Sequence, residues 1–153
     1  MRLMALTDRI QTDLTAAMKA RDTTATAALR GVLAAIRNAR VAEGQAGDLS
    51  DEQTVELLNR EAKKRTEAAD AFAGAGRDEQ AAKERAELEV IRRYLPARLD
   101  EAELRAIVDE AVATTGASGP GDLGRVMGAL MPKVRGRADG NAVRALVSER
   151  LRA

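Results

Sequence analysis

The chain has 153 residues, 45% of them hydrophobic and 32% charged, enough to bury one sizeable core or a moderate core with a small appendage. It contains no Cys and no His, which excludes disulfides, thiolate chemistry, His metal ligands and imidazole acid–base catalysis. Phe72 and Tyr94 are the only aromatics, so the core must be Leu, Ile, Val, Met and Ala, which suits packed helices better than a sheet.

The first residues, Met1 to Leu6, form a brief apolar run that is too short for a signal-peptide core. No later stretch approaches a membrane span, so a cytoplasmic location with no membrane partner is expected. Leu6, Ile10, Leu14 and Met18 recur at spacing four and predict a first amphipathic helix ending near Arg21. Asp22 can cap a second helix with Leu29, Val32, Leu33 and Ile36 on one face, stopping at Gly44. Gln45–Leu49 reads as a turn. Ser50 with Gln53 three residues on is a capping-box pattern for a third helix. Its stripe is Val55, Leu58, Ala62, Ala69 and Phe72, and Gly74 and Gly76 end it. Asp78 starts a fourth helix through Leu88, Ile91 and Leu95, closed by Pro96; the short links predict antiparallel packing.

Asp100 caps the next helix, with Glu103 at the capping-box position and Leu104, Ile107, Val108, Ala111 and Val112 inward, and Gly116 ends it. The Gly/Ser/Pro stretch Gly116–Gly121 leads to a short helix from about Asp122 to Met131, which Pro132 is expected to stop. The loop Lys133–Arg137 follows, and Asp139 caps a last helix with Val143, Leu146, Val147 and Leu151 inward. The chain therefore reads as all-α. Residues 1–96 form an antiparallel bundle of about four helices, and residues 97–153 a small three-helix tail near the lower limit for independent folding.

Gly119-x-Gly121-x-x-Gly124 matches the dinucleotide fingerprint formally, but no strand precedes it and Pro120 sits inside, so it reads as a connector between helices. Gly124 and Gly128 lie four apart on the short helix and predict close approach of a neighbouring backbone. Acidic pairs such as Glu87/Glu89 and Glu101/Glu103 point to different helix faces, and Ser50, Ser118 and Ser148 have no His partner. No catalytic constellation is visible, and nothing calls for a cofactor or a metal.

Net charge is +1, but it is distributed unevenly. Residues 1–96 carry 16 basic and 16 acidic side chains; residues 97–122 carry two basic against six acidic, and residues 123–153 seven basic against two acidic. Within the positive end, Lys133, Arg135 and Arg137 alternate with Val134 and Gly136 between a Pro stop and an Asp cap. Asp139 is the one acid near in sequence, so these cations are expected to stay unpaired. Arg144 lies about one turn into the last helix, and Arg125 belongs to the same basic segment. This pattern reads as a phosphate-contacting surface beside a helix N-terminus, although Asp139 competes for the free N–H groups. With no aromatics in the tail, base stacking is excluded and backbone and shape contacts must dominate. Arg60, Lys63, Lys64 and Arg65 form a second basic run; Glu56, Glu61 and Glu67 at helical spacing favour a solvated, internally paired face over a second polyanion contact.

The segment from Val126 to Gly140 strongly resembles the signature of the YqeY-like proteins, whose C-terminal unit is also the tail domain of the GatB component of tRNA-dependent Asp/Glu amidotransferase. Arg60–Arg65, the Ala75–Asp78 turn and Glu87–Ile91 leading into Tyr94-Leu95-Pro96 are similar to the family's N-terminal half. The resemblance implies a helical bundle with a small helical tail, a connection with tRNA-dependent amidation, and a basic loop matched by Lys133, Arg135, Arg137 and Arg144. It does not carry over the chemistry, since the amidotransferase active sites lie in a separate domain and in another polypeptide of that enzyme.

Three readings follow, in order. The first is a non-catalytic module binding tRNA or other RNA, for which four phosphate contacts predict a log–log salt slope of roughly −3 to −4. The second is a protein-interaction adaptor for an amidotransferase or translation factor. An independent amidotransferase, a carbon–nitrogen ligase with glutamine as amido donor, is third.

Overall fold

The computed structural model describes residues 4–153, so the start of the N-terminal apolar run, Met1–Leu3, lies outside the described residues. Seven α-helices follow one another among the described residues, with no strand: α1 (Leu6–Lys19), α2 (Thr23–Ala42), α3 (Asp51–Gly74), α4 (Asp78–Arg92), α5 (Glu101–Thr115), α6 (Leu123–Val134) and α7 (Gly140–Arg152). The protein is all-helical. It divides into two compact units, one running to Leu95 and one from Pro96 to Ala153. No described helix is long and apolar enough to cross a membrane.

In the first unit α1 packs on α2, α2 on α4, and α3 on α4. Ile10, Leu14, Leu29, Val32, Ile36, Leu57, Leu58 and Ile91 make its centre. The face of α1 differs from a strict spacing of four: Ile10, Leu14 and Ala17 are buried, while Met18 is 49% exposed. Each step of four advances about 40° beyond a full turn, so a third step rotates the side chain out of the core. The helix also ends at Lys19, two residues before the expected Arg21, because Arg21 takes a left-handed conformation with φ 56. On α3 the deepest positions are Thr54, Leu57, Leu58 and Ala69, with Val55, Ala62 and Phe72 only half-buried.

Caps define the ends. Asp22 accepts from the Ala25 N–H at 3.0 Å, and Ser50 and Gln53 form the reciprocal capping box that opens α3. Ala5 offers α1 no side-chain cap, and Asp51 serves instead, accepting the Leu6 N–H at 2.9 Å.

The second unit buries small aliphatics: Leu104, Val108 and Val112 of α5, Val126, Leu130 and Val134 of α6, Val143, Val147 and Leu151 of α7. Asp100 and Glu103 close a second capping box at the start of α5. Gly116 ends α5 with φ 67, a conformation that a Cβ would disfavour. Gly119–Asp122 is a connector, a single 3₁₀ turn over Pro120–Asp122, and Gly124 already lies in the first turn of α6.

Two expectations fail here. Pro132 does not stop α6, which continues to Val134. The carbonyl deprived of its partner is that of Gly128, which is exposed and open to water, and the buried Val134 holds the last turn down. Gly124 and Gly128 do not mark a close helix contact either. Both face solvent, and a Cβ at either would meet nothing within 4 Å.

Candidate nucleic-acid interface

The basic loop is shorter than its sequence suggests. Lys133 and Val134 belong to the last turn of α6, and the turn itself is Arg135–Ala138. Val134, 1% exposed, anchors it: its carbonyl accepts the N–H groups of Arg137 (2.9 Å) and Ala138 (3.2 Å). Gly136, at φ 76, supplies the left-handed residue that reverses the chain. Asp139 then accepts the Ala142 N–H at 3.2 Å, so its carboxylate occupies the N-terminus of α7 as a cap.

The five cations proposed from sequence divide into two groups. Lys133 Nζ lies 3.6 Å from Glu110 Oε1 on α5, so the expectation that the loop cations lack internal partners fails for it. Arg125 pairs with Asp122 at 3.0 Å. The Asp122 carboxyl is held below its ordinary value foremost by the Ser118 amide, with the Gly119 amide and Arg125 adding to it, so it stays anionic beside Arg125. Arg137 is engaged too: its Nε donates to the Ala97 carbonyl at 3.1 Å, and its own carbonyl accepts the Leu99 N–H at 2.9 Å. Arg135 and Arg144 are exposed and make no side-chain hydrogen bond or ion pair among the described residues. Two of the other tail cations, Arg105 and Arg150, follow the first group, whereas Arg98 and Arg152 are exposed and make no side-chain hydrogen bond or ion pair among the described residues. Arg150 pairs with Asp109 at 2.9 Å, and Arg105 with Glu101 at 2.9 Å. Acids on α5 therefore partner Lys133 and Arg150 of the positive end, which a count along the sequence cannot register.

The family model described as Yqey-like protein matches residues 7–151. This chain belongs to the Yqey-like protein family. The match agrees with the resemblance read from Val126–Gly140 and runs through both units. No curated protein matches the chain.

The second basic run of this Yqey-like protein is not one surface. Lys64 pairs with Glu61 at 3.3 Å, and Arg60 and Lys63 face solvent. Arg65 turns inward instead, donating to Glu87 and, at 3.3 Å, to Glu84 of α4. Its Nη2 would sit 3.1 Å from a Cβ placed on Gly31, so the side chain also lies against α2. Glu87 is 4% exposed, a buried carboxylate satisfied by that guanidinium. Sequence reading also missed Tyr94. Its hydroxyl donates to Asp13, and the Arg9 guanidinium stands 5.0 Å from its ring centroid. They border a cleft of ≈ 310 Å³ whose lining includes Ala17, Leu29 and Arg93. Burial foremost, then the bond to Asp13, pushes the Tyr94 phenol above its ordinary value. The partners are 81 residues apart, and no local pattern signals such a pair. Among the described residues no group of three His, Cys, Asp or Glu side chains could hold a metal ion.

Proposed function

We propose that this Yqey-like protein is a non-catalytic RNA-binding protein that engages tRNA or another RNA through the basic surface of its second unit. The observation that carries the reading is the pair Arg135 and Arg144, exposed and without internal partners among the described residues, while Lys133, Arg125 and Arg137 are paired or anchored. A guanidinium that is already exposed and unpaired gives up no internal contact when it meets a phosphate. The turn that carries Arg135 is fixed by Val134, Gly136 and the Asp139 cap, so little ordering cost accompanies binding. With no aromatic residue from Pro96 onward, recognition rests on phosphates and shape rather than stacking, and RNA discrimination is correspondingly modest.

The test is binding of the full chain to bulk tRNA over a series of salt concentrations, beside an Arg135→Ala/Arg144→Ala variant. Each lost phosphate contact flattens the log–log slope by about 0.7–0.9, so the double variant is expected to flatten it by about 1.4–1.8. Parental binding that does not depend on salt would contradict the proposal. No binding by the parental chain would contradict it as well and favour a protein-docking role.

A further inference from the structure

The tie between Arg137 and the segment before α5 has a second effect. Arg137 holds Ala97 through its guanidinium and Leu99 through its carbonyl, and these two bonds bracket Arg98. Leu99 also packs against the aliphatic core of the second unit. Residue 98 is therefore pinned on both sides directly beside the basic turn, although 37 positions separate it from Arg135 in sequence. Arg98 is exposed and makes no side-chain hydrogen bond or ion pair among the described residues. The acids next to it in sequence are occupied elsewhere: Asp100 accepts the Glu103 N–H at 2.7 Å, and Glu103 accepts the Asp100 N–H at 3.0 Å. The capping box thus keeps two nearby carboxylates on backbone donors and leaves the Arg98 charge free.

We infer that Arg98 is a further RNA-binding residue, which joins Arg135 in contacting the phosphate backbone and is mounted there by Arg137. This rests on the RNA-binding reading above. A count along the chain assigns Arg98 to an acidic segment with two basic against six acidic side chains, whereas the fold returns it to the positive surface. Arg137 is a positioning residue in this arrangement, since its guanidinium is already taken by a carbonyl.

The experiment compares the full parental chain with Arg98→Ala and Arg98→Lys for binding to bulk tRNA across salt concentration, with a thermal melt of each protein. Arg98→Ala is expected to flatten the log–log slope by about 0.7–0.9 without lowering the melting temperature. Arg98→Lys keeps the point charge and is expected to restore the slope. If Arg135→Ala/Arg144→Ala flattens the slope and Arg98→Ala leaves it at the parental value, the assignment of Arg98 is overturned while RNA binding stands. A slope lost in Arg98→Ala and not restored by Arg98→Lys also overturns the assignment, because the loss then does not follow the charge. No binding by the parental chain would overturn both.

Discussion

Replacing Arg65 with Ala tests whether the basic run on α3 is a surface or part of the interior. The substitution leaves Glu87, whose side chain is 6% exposed, without the guanidinium that satisfies it. Breaking one side of a buried pair costs about 3–5 kcal/mol, and the 20% exposure of the Arg65 side chain moves the expectation to the low end, about 3 kcal/mol. Urea unfolding followed by tyrosine fluorescence isolates the first unit, because Tyr94 is the only Tyr and there is no Trp. The midpoint should fall with an unchanged dependence on urea. An Arg65→Met/Glu87→Leu double variant should recover most of the loss, since it removes both charges together. A cost below about 0.5 kcal/mol for Arg65→Ala, the range of exposed pairs, would refute the reasoning.

Tyr94→Phe removes the hydroxyl that donates to Asp13 and should cost about 1 kcal/mol near neutral pH, read by circular dichroism in urea. Because the folded phenol titrates above its ordinary 10.0, its contribution is fully present below pH 10 and is lost as pH rises through the folded value. The gap between parent and variant should therefore narrow only in strong alkali; narrowing already between pH 7 and 9 would contradict the assignment. Arg137→Ala removes the bond to the Ala97 carbonyl and should lower the stability of the second unit by about 1 kcal/mol while raising amide exchange at Leu99. Unchanged exchange with a flattened salt slope would instead make Arg137 a phosphate contact.

The helices were legible because their signals are local. Ser50/Gln53 and Asp100/Glu103 are capping boxes spaced three apart, and Gly116 stands where a left-handed residue closes α5. Errors arose where a local rule met tertiary packing. Spacing four favoured Met18 over Ala17 until the rotation of the face is followed around, and Pro132 sits within α6 because the carbonyl it orphans is open to solvent. The cations of the positive end were legible as residues, but their partners were not. Glu110 lies 23 positions from Lys133, Glu87 lies 22 from Arg65, and Ala97 lies 40 from Arg137, so only the fold pairs them. The same long-range tie hid Arg98, which the charge count had grouped with acids.

The most direct measurement is an amide-resolved NMR titration of the full chain with tRNA at low salt, recording which signals shift or broaden first. The earliest changes are expected on Arg98–Asp100, Arg135–Asp139 and the first turns of α7, and added salt should reverse them. First changes on Arg60–Lys64 of α3, or none at all, would contradict RNA binding through the second unit.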